Sequence, residues 1–509
     1  MYIDNKILMG RGTEYVYLLP KMANRHGLIA GATGTGKTVT LKVMAESFSE
    51  MGVPVFLADI KGDVSGMCKS GSTNESLEKR LAKLGIENFE YHSFPTEFWD
   101  VFGEYGIPVR TTISEMGPEL LGRLMELTEV QCGVLNIVFR VADDNGMYLI
   151  DLKDLRSMLS YVGKHSKEYT TTYGTVSPQS VGAIQRALLR LEDQGAEKFF
   201  GEPDLEINDW LRRDNHGRGY INILHCVELF QKPMLYSTFM LWMLTKLYET
   251  LPEVGDLDKP KVVFFFDEAH LLFADSRKAL LDKIVQVVKL IRSKGVGVYF
   301  ITQNPTDIPD PVLAQLGNKV QHALRAYTPS ELKVVKAAAQ SFRTNPDFDT
   351  ETVLTELGTG EALVSFLDTD GRPSMTQRAK ILPPQSYMST IDEDRRNAII
   401  ESSDLYSRYY KSVDRRSAYE IITEETEKEN HQLEVAKKKE LEQKAKLEAE
   451  KEAERKAKAK KTSSSSSKKT TTRRKKSSFE KAVDSGMNTI GRELGKSIVR
   501  TILGVLKNK

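Results

Sequence analysis

The eight residues from Gly31 to Thr38, GATGTGKT, restrict the fold of this chain more than any other stretch. They match the spacing GxxxxGK[ST], in which glycines let successive backbone N–H groups turn into one concavity and hold phosphate oxygens. Gly31, Ala32, Thr33, Gly34, Thr35, Gly36, Lys37, Thr38 and Val39 are therefore the expected nucleotide-binding residues. Lys37 is expected to reach the β- and γ-phosphates of ATP, and the Thr38 hydroxyl to ligate Mg²⁺. Such a loop works between a strand and a helix whose N-terminal dipole faces the anion. The flanking sequence offers both: HGLIA (26–30) reads as a strand, 37–51 as a helix and VPVFLAD (53–59) as a second strand. A βαβ unit of this length predicts a parallel sheet.

The alternation continues along the chain. GYINILHC (219–226), KVVFFFD (261–267), GVGVYFITQ (295–303) and KVQHALRAY (319–327) read as strands, with ALVSFLD (362–368) at a sheet edge. Helical periodicity at 233–250 and 277–293 separates them, the pattern of a doubly wound α/β sheet. From about 112 to 200 helical patterns dominate, as in SVGAIQRALLRLEDQG, and read as an insertion between core strands. The expected organisation is a first core segment at 1–100, a largely helical insertion at 101–215 and a second core segment at 216–400. A charged helical extension follows at 401–460, then a basic Ser/Thr-rich linker at 461–478 and an amphipathic helix at 479–509. Residues 424–461 are almost all Glu, Lys, Ala and Gln; without a sustained apolar seam they read as solvated helix rather than coiled coil.

A second motif supplies the chemistry that a phosphate loop needs. In KVVFFFDEAHLLF (261–273) an apolar run ends in two adjacent acids. Carboxylates there are costly to bury unless a cation meets them. At the end of a buried parallel strand, Asp267 is placed to hold the Mg²⁺ shell and Glu268 to polarise the attacking water. His270 reads as a packed or surface histidine, with a coupling role as the alternative; no second His or Cys cluster has zinc-ligand spacing. YFITQNP (299–305) ends a strand in a polar pair, so Gln303 is a candidate γ-phosphate sensor, with a strand cap as the plain alternative. Arg292 and Arg325 lie near predicted strand edges and are candidate arginine fingers, a group often supplied by a neighbouring subunit. Most arginines are solvated or in surface pairs, so neither is specific alone.

Composition excludes several other classes. The 509 residues are 40% hydrophobic and 28% charged with a formal net charge of +2. A large core is affordable, in roughly two to four structural units, and any nucleic-acid surface must be local. Cys68, Cys132 and Cys226 are scattered and form no CxxC, which fits a reducing cytoplasm and neither a disulfide framework nor a zinc site. The start MYIDNKILMGRG lacks signal-peptide order, and no apolar run reaches membrane-span length. The letters DEAH also spell a helicase box. In DEAH-box enzymes, however, the box follows the phosphate loop much more closely, and a second domain carries its own arginine-rich motif, absent here.

The text MANRHGLIAGATGTGKTVTLKVMAESFSEMGVPVFLADIKGDVSG, with GIPVRTTISEMGPELLGRLMELTEVQ, FFFDEAHLLF, IRSKGVGVYFITQNPTDIP and LGNKVQHALRAYTP, resembles the HerA/FtsK group of P-loop ATPases. Within that group it is most similar to the YjgR-like HerA family, over nearly all of residues 1–400, and the tail GRELGKSIVRTILGVL looks like that family's own. The resemblance implies a RecA-like ATPase core, a homo-hexameric ring and ATP-driven movement along a polymer, double-stranded DNA first. It assigns Lys37 and Thr38 to phosphate and Mg²⁺, Asp267 and Glu268 to Mg²⁺ and hydrolysis, and Gln303 to nucleotide sensing. Arg292 stands where HerA proteins carry a proposed trans-acting arginine. DIKGD (59–63) belongs to the same pattern, so Asp59 or Asp63 is expected to organise the site or a subunit contact. HerA itself has a small β-barrel before its phosphate loop that helps engage a nuclease. Residues 1–30 are too few for one, so a nuclease partner is not expected. A motor or switch acting on protein partners remains the alternative. The basic linker reads either as a solvated tether or as a phosphate-binding arm. The terminal apolar stripe is expected to pack on itself or a partner ahead of lying on a membrane.

Overall fold

A computed structural model describes residues 1–273 and 278–461. The amphipathic helix expected at 479–509, and all but the first residue of the linker, lie outside the described residues. Residues 1–426 form one compact unit built on a single sheet. Its strands are β1 (Tyr2–Ile3), β2 (Lys6–Arg11), β3 (Tyr15–Leu18), β4 (Gly27–Ala30), β5 (Val55–Asp59), β6 (Thr96–Asp100) and β7 (Ile107–Pro108), followed by β8 (Ile221–His225), β9 (Val262–Phe266), β10 (Val296–Thr302), β11 (Asn318–His322), β12 (Glu361–Ser365) and β13 (Gln377–Ile381).

The sheet order is β1-β2-β13-β12-β11-β4-β10-β9-β5-β8-β6-β7, with β3 on β2. From β11 to β7 every pairing is parallel. From β11 outward through β12, β13 and β2 every pairing is antiparallel. The α/β, mainly parallel core expected from the sequence is thus present. One strand, β10, stands between β4, which leads into the phosphate loop, and β9, which ends at Asp267.

Burial explains why the central strands carry no polar alternation. All five residues of β9 and all seven of β10 are buried, as strands of a parallel sheet covered on both faces must be. Successive side chains point to opposite faces. Phe265 accordingly meets Phe48 of the helix Lys37–Glu50 and Tyr299 of β10, whereas Phe264 meets Phe56 and Trp210.

Four features depart from the sequence reading. ALVSFLD, expected at a sheet edge, forms β12 inside the sheet, because β13 pairs on its outer side and β11 on its inner side. The strand expected at 319–327 ends at His322, because the chain there turns onto other partners. Ala323 O accepts from Ala32 N–H at 2.8 Å, and Leu324 N–H donates to Leu354 O at 3.1 Å. Residues 101–112 are not helical; Ile107–Pro108 extends the sheet beside β6, and the helices begin at Ile113. β1–β3 were not foreseen; they reach the main sheet through β13. The helical stretch itself comprises Ile113–Leu124, Glu129–Asp144, Leu152–Lys164, Ser166–Tyr173 and Pro178–Asp193. Thr128, Asp151 and Ser177 cap three of these helices through side-chain oxygens, satisfying N–H groups that would otherwise be orphaned. Beyond residue 426, the charged segment continues as helix to Lys461, with exposed side chains through 456.

Candidate nucleotide-hydrolysing site

In a parallel sheet all carboxyl ends lie along one edge, where ligands of open α/β folds collect. Gly31 follows β4, Asp59 ends β5, Asp267 follows β9, Gln303 follows β10 and His322 ends β11. Residues distant in sequence therefore share one edge.

The phosphate loop turns through glycines at left-handed φ: Gly31 at 150°, Gly34 at 75° and Gly36 at 119°. At Gly31 space matters as well as φ, since an added Cβ would stand 2.5 Å from the His322 Cβ. The loop is anchored on both sides. Thr35 Oγ1 donates to Ala32 O at 2.7 Å, and Gly360 N–H donates to Thr35 O at 2.8 Å. Arg80 in turn holds Gly360 O at 2.7 Å. Lys37 is buried, and its Nζ donates to Gly31 O at 2.6 Å and Ala32 O at 3.1 Å. Burial and then the Lys61 charge lower its pKa, against the pull of Glu268 and Asp267. Thr38 Oγ1 lies 3.4 Å from Asp63 Oδ2. Thr38, Val39 and Asp63 line a cavity of about 340 Å³ together with Lys42, Pro384, Met388, Ser389 and Thr390.

His322 backs this loop with a defined tautomer. Its Nδ1 faces Glu361 O at 2.9 Å and so donates, leaving Nε2 to accept from Thr40 Oγ1 at 2.8 Å. His26 is held likewise: Nε2 donates to Val288 O at 2.8 Å and Nδ1 accepts from Val298 N–H at 3.1 Å. Burial is the main cause that lowers both imidazoles from 6.5 to about 4. The unfolded chain then binds more protons between those values, so this stability is complete above pH 6.5 and is lost as pH falls through about 4. Each histidine is expected to contribute at most roughly 3 kcal/mol to that window. In urea titrations, the stability gap between the parent and His322→Gln should narrow from pH 7.5 to pH 5; a gap independent of pH would refute the assignment.

The acids beyond β9 form the second half of the site. Asp267 and Glu268 are both buried, and Glu268 takes φ 46°. A non-glycine residue there is strained, a state that persists where surrounding contacts fix it. Glu268 N–H donates to Asp267 Oδ1 at 2.9 Å. Gln303 Nε2 donates to Glu268 Oε1 at 3.1 Å, and Thr33 Oγ1 donates to Gln303 Oε1 at 3.2 Å. Gln303 therefore links the phosphate loop to the acid. Lys61 Nζ lies 2.7 Å from Glu268 Oε1 and 3.7 Å from Asp267 Oδ2. His270 Nδ1 stands 3.4 Å from Glu268 Oε2, at ion-pair distance but without hydrogen-bond alignment. Burial raises the Asp267 pKa, with Lys61 opposing it. For Glu268, burial acts upward but hydrogen bonds from Lys61 and Gln303 outweigh it, and the carboxyl stays below its ordinary range.

Asp59 is buried and receives N–H bonds from Gly62 at 2.8 Å, Asp63 at 3.2 Å and Val64 at 3.4 Å. Its role is to shape the turn after β5; burial and then the Asp63 charge push its pKa up to about 7. Asp63 is the member of DIKGD that faces Thr38. The hydroxyl of Thr38 and the carboxylates of Asp63 and Asp267 are hard oxygen donors. This set suits Mg²⁺, which takes one or two carboxylates and completes its shell with phosphate and water.

The two arginines are not brought to the same place. Arg292 precedes β10 and pairs with Asp256 at 3.6 Å. The seven residues of β10 set it roughly 20 Å from the phosphate edge of its own chain. Arg325 lies at the phosphate edge, where its guanidinium donates to Thr355 O at 2.6 Å and Leu357 O at 3.2 Å. Lys61 and His322 were not foreseen as site residues. In DIKGD the sequence signal lies in the acids, and His322 sits inside an ordinary strand pattern.

The family model described as "Helicase HerA-like C-terminal" matches residues 4–509. The chain belongs to this family. Among its relatives, the "DNA double-strand break repair helicase HerA" of Sulfolobus acidocaldarius is 22% identical over 363 residues, covering 70% of this chain and 65% of that one. A "probable helicase" of Methanocaldococcus jannaschii is 24% identical over 351 residues, covering 68% and 60% respectively. The chain thus spans less than two thirds of the length of these relatives. Among solved structures, VirB4 of Thermoanaerobacter pseudethanolicus superposes with a TM-score of 0.48 at 16% identity, covering 74% of this chain and 97% of that one.

Proposed function

We propose that this HerA-family chain is an ATP-hydrolysing motor that works as a hexameric ring and moves on double-stranded DNA in the cytoplasm. The observation that carries hydrolysis is the link Thr33–Gln303–Glu268, which ties the phosphate loop to a buried carboxylate at one sheet edge. In this reading the backbone N–H groups of residues 31–36 and Lys37 hold the phosphates. Thr38, Asp267 and Asp63 would hold Mg²⁺, which would supply positive charge against the phosphate oxygens. Glu268 accepts a proton from the attacking water, and Gln303 orients that acid against the loop. Arg292, far from its own phosphate edge, serves a neighbour's site; Arg325 stands at its own edge, occupied by two carbonyls, and is the second candidate. The DNA assignment rests on family membership and on the DNA double-strand break repair helicase HerA being among the relatives. Among the described residues no helix is long and apolar enough to cross a membrane.

The deciding experiment is the ATPase rate with double-stranded DNA, single-stranded DNA, RNA or no polymer across a salt series. Stimulation by double-stranded DNA that fades as salt rises is expected, because phosphate contacts release counterions. A rate indifferent to every nucleic acid would move the substrate to protein.

A further inference from the structure

We propose that Lys61 is a positioning residue for hydrolysis: with Gln303 it holds one oxygen of Glu268, so that the other is presented to the attacking water. The inference rests on the hydrolysis reading above and adds a residue to it.

Lys61 is not placed like an ordinary surface lysine. It sits in the turn after β5, and β5 pairs directly with β9. The turn is fixed from beneath, since Asp59 Oδ1 accepts the N–H groups of Gly62 and Asp63, and Gly62 takes φ 72°. From there the ammonium reaches Glu268 Oε1 at 2.7 Å. The lysine side chain is 39% exposed and the glutamate 7%, so the contact runs from solvent into the protein. An exposed pair would fix little; here one partner is buried and already held by Gln303 at 3.1 Å through the same Oε1.

The two donors leave an asymmetric carboxylate. Glu268 Oε2 is buried and accepts no hydrogen bond among the described residues; His270 Nδ1 stands 3.4 Å from it without the alignment to donate. Buried acceptors are nearly always paired, so an unpaired one calls for an explanation, and a catalytic role is one such explanation. A base needs such an oxygen, free to take a proton and held in direction. In the step itself, the water's proton passes to Oε2 while its oxygen bonds to the terminal phosphorus. The bond from that phosphorus to the bridging oxygen breaks, and ADP leaves with the electron pair. Lys61 touches neither water nor phosphate in this scheme; it acts through Glu268.

The test compares the full chain with Lys61→Met, Lys61→Gln and Lys61→Arg. Steady-state ATPase kinetics, affinity for a non-hydrolysable ATP analogue and the thermal midpoint are measured for each. Lys61→Met and Lys61→Gln are expected to lower kcat roughly ten- to a hundredfold, with KM and analogue affinity within about twofold of the parent. Lys61→Arg, which keeps the charge, should recover most of the rate. A merely structural role would move the thermal midpoint and analogue affinity together with kcat, and that pattern overturns the inference. So does an unchanged kcat in either neutral variant, or Lys61→Arg as slow as Lys61→Met. Turnover by the parent with no response to Lys61 substitution removes Lys61 alone; absence of turnover by the parent removes the hydrolysis reading and this inference together.

Discussion

Glu268→Gln is expected to bind Mg²⁺–ATP as the parent does and to turn it over roughly 10²- to 10⁴-fold more slowly, the range over which a positioned general base contributes. The substitution is nearly isosteric. Its amide oxygen can still accept from Lys61 and Gln303, the two donors at Oε1. The cost falls on the other atom, since an amide nitrogen replaces Oε2 and accepts no proton. The strained φ of 46° belongs to the backbone and is common to both side chains. Binding should therefore survive while chemistry does not, and single-turnover assays beside analogue titration separate the two. Equal hydrolysis by Glu268→Gln and the parent would remove the base from this position, and Lys61 and Gln303 would lose their proposed target.

How far the site was readable depends on whether its signals are local. The phosphate loop is written in consecutive residues, because glycine spacing, Lys37 and Thr38 all act within one turn. Asp267 and Glu268 were readable for a related reason: an apolar run that ends in acids has few physical explanations in such a sheet. Gln303 was legible as the end of a strand, but its link to Thr33 and Glu268 depends on β10 lying between β4 and β9. Lys61 was hidden because its meaning comes from β5 pairing with β9, strands more than two hundred positions apart in number. His322 was hidden in the same way: only the pairing of β11 with β4 sets it against Gly31.

The fold shows the same division. Strands buried on both faces, such as β9 and β10, announce themselves as continuous apolar runs. β1, β2 and β3 do not, since their place comes from antiparallel pairing with one another and, through β2, with β13 near residue 380. In KVQHALRAY the apolar pattern outruns the strand because Ala323 and Leu324 remain apolar after leaving the sheet at His322. They pack in a second cluster with Val335, Ala338 and Leu354, and hydrophobicity alone does not distinguish a strand from a turn into a neighbouring core.

Lys37→Ala should differ from Glu268→Gln by failing at binding. The ammonium is buried at the mouth of the loop, and its contacts with Gly31 O and Ala32 O keep it within reach of the space the loop encloses. Burial and the nearby Lys61 make it costly to keep charged, and Glu268 and Asp267 offset this. A nucleotide's phosphates would supply further compensating negative charge and exchange carbonyl partners for charged oxygens. Hydrogen bonds to charged groups contribute about 1.5–3 kcal/mol each, so losing one or two such bonds predicts an ATP affinity weakened roughly tenfold to ten-thousandfold. Alanine also releases the two loop carbonyls, which deepens the effect. Lys37→Arg should not rescue, because a planar fork does not replace a compact ammonium in a loop closed by Thr35, Gly360 and His322. Analogue titration of both variants against Glu268→Gln checks this. Parent-like affinity in Lys37→Ala would mean that residues 31–38 do not hold the phosphates.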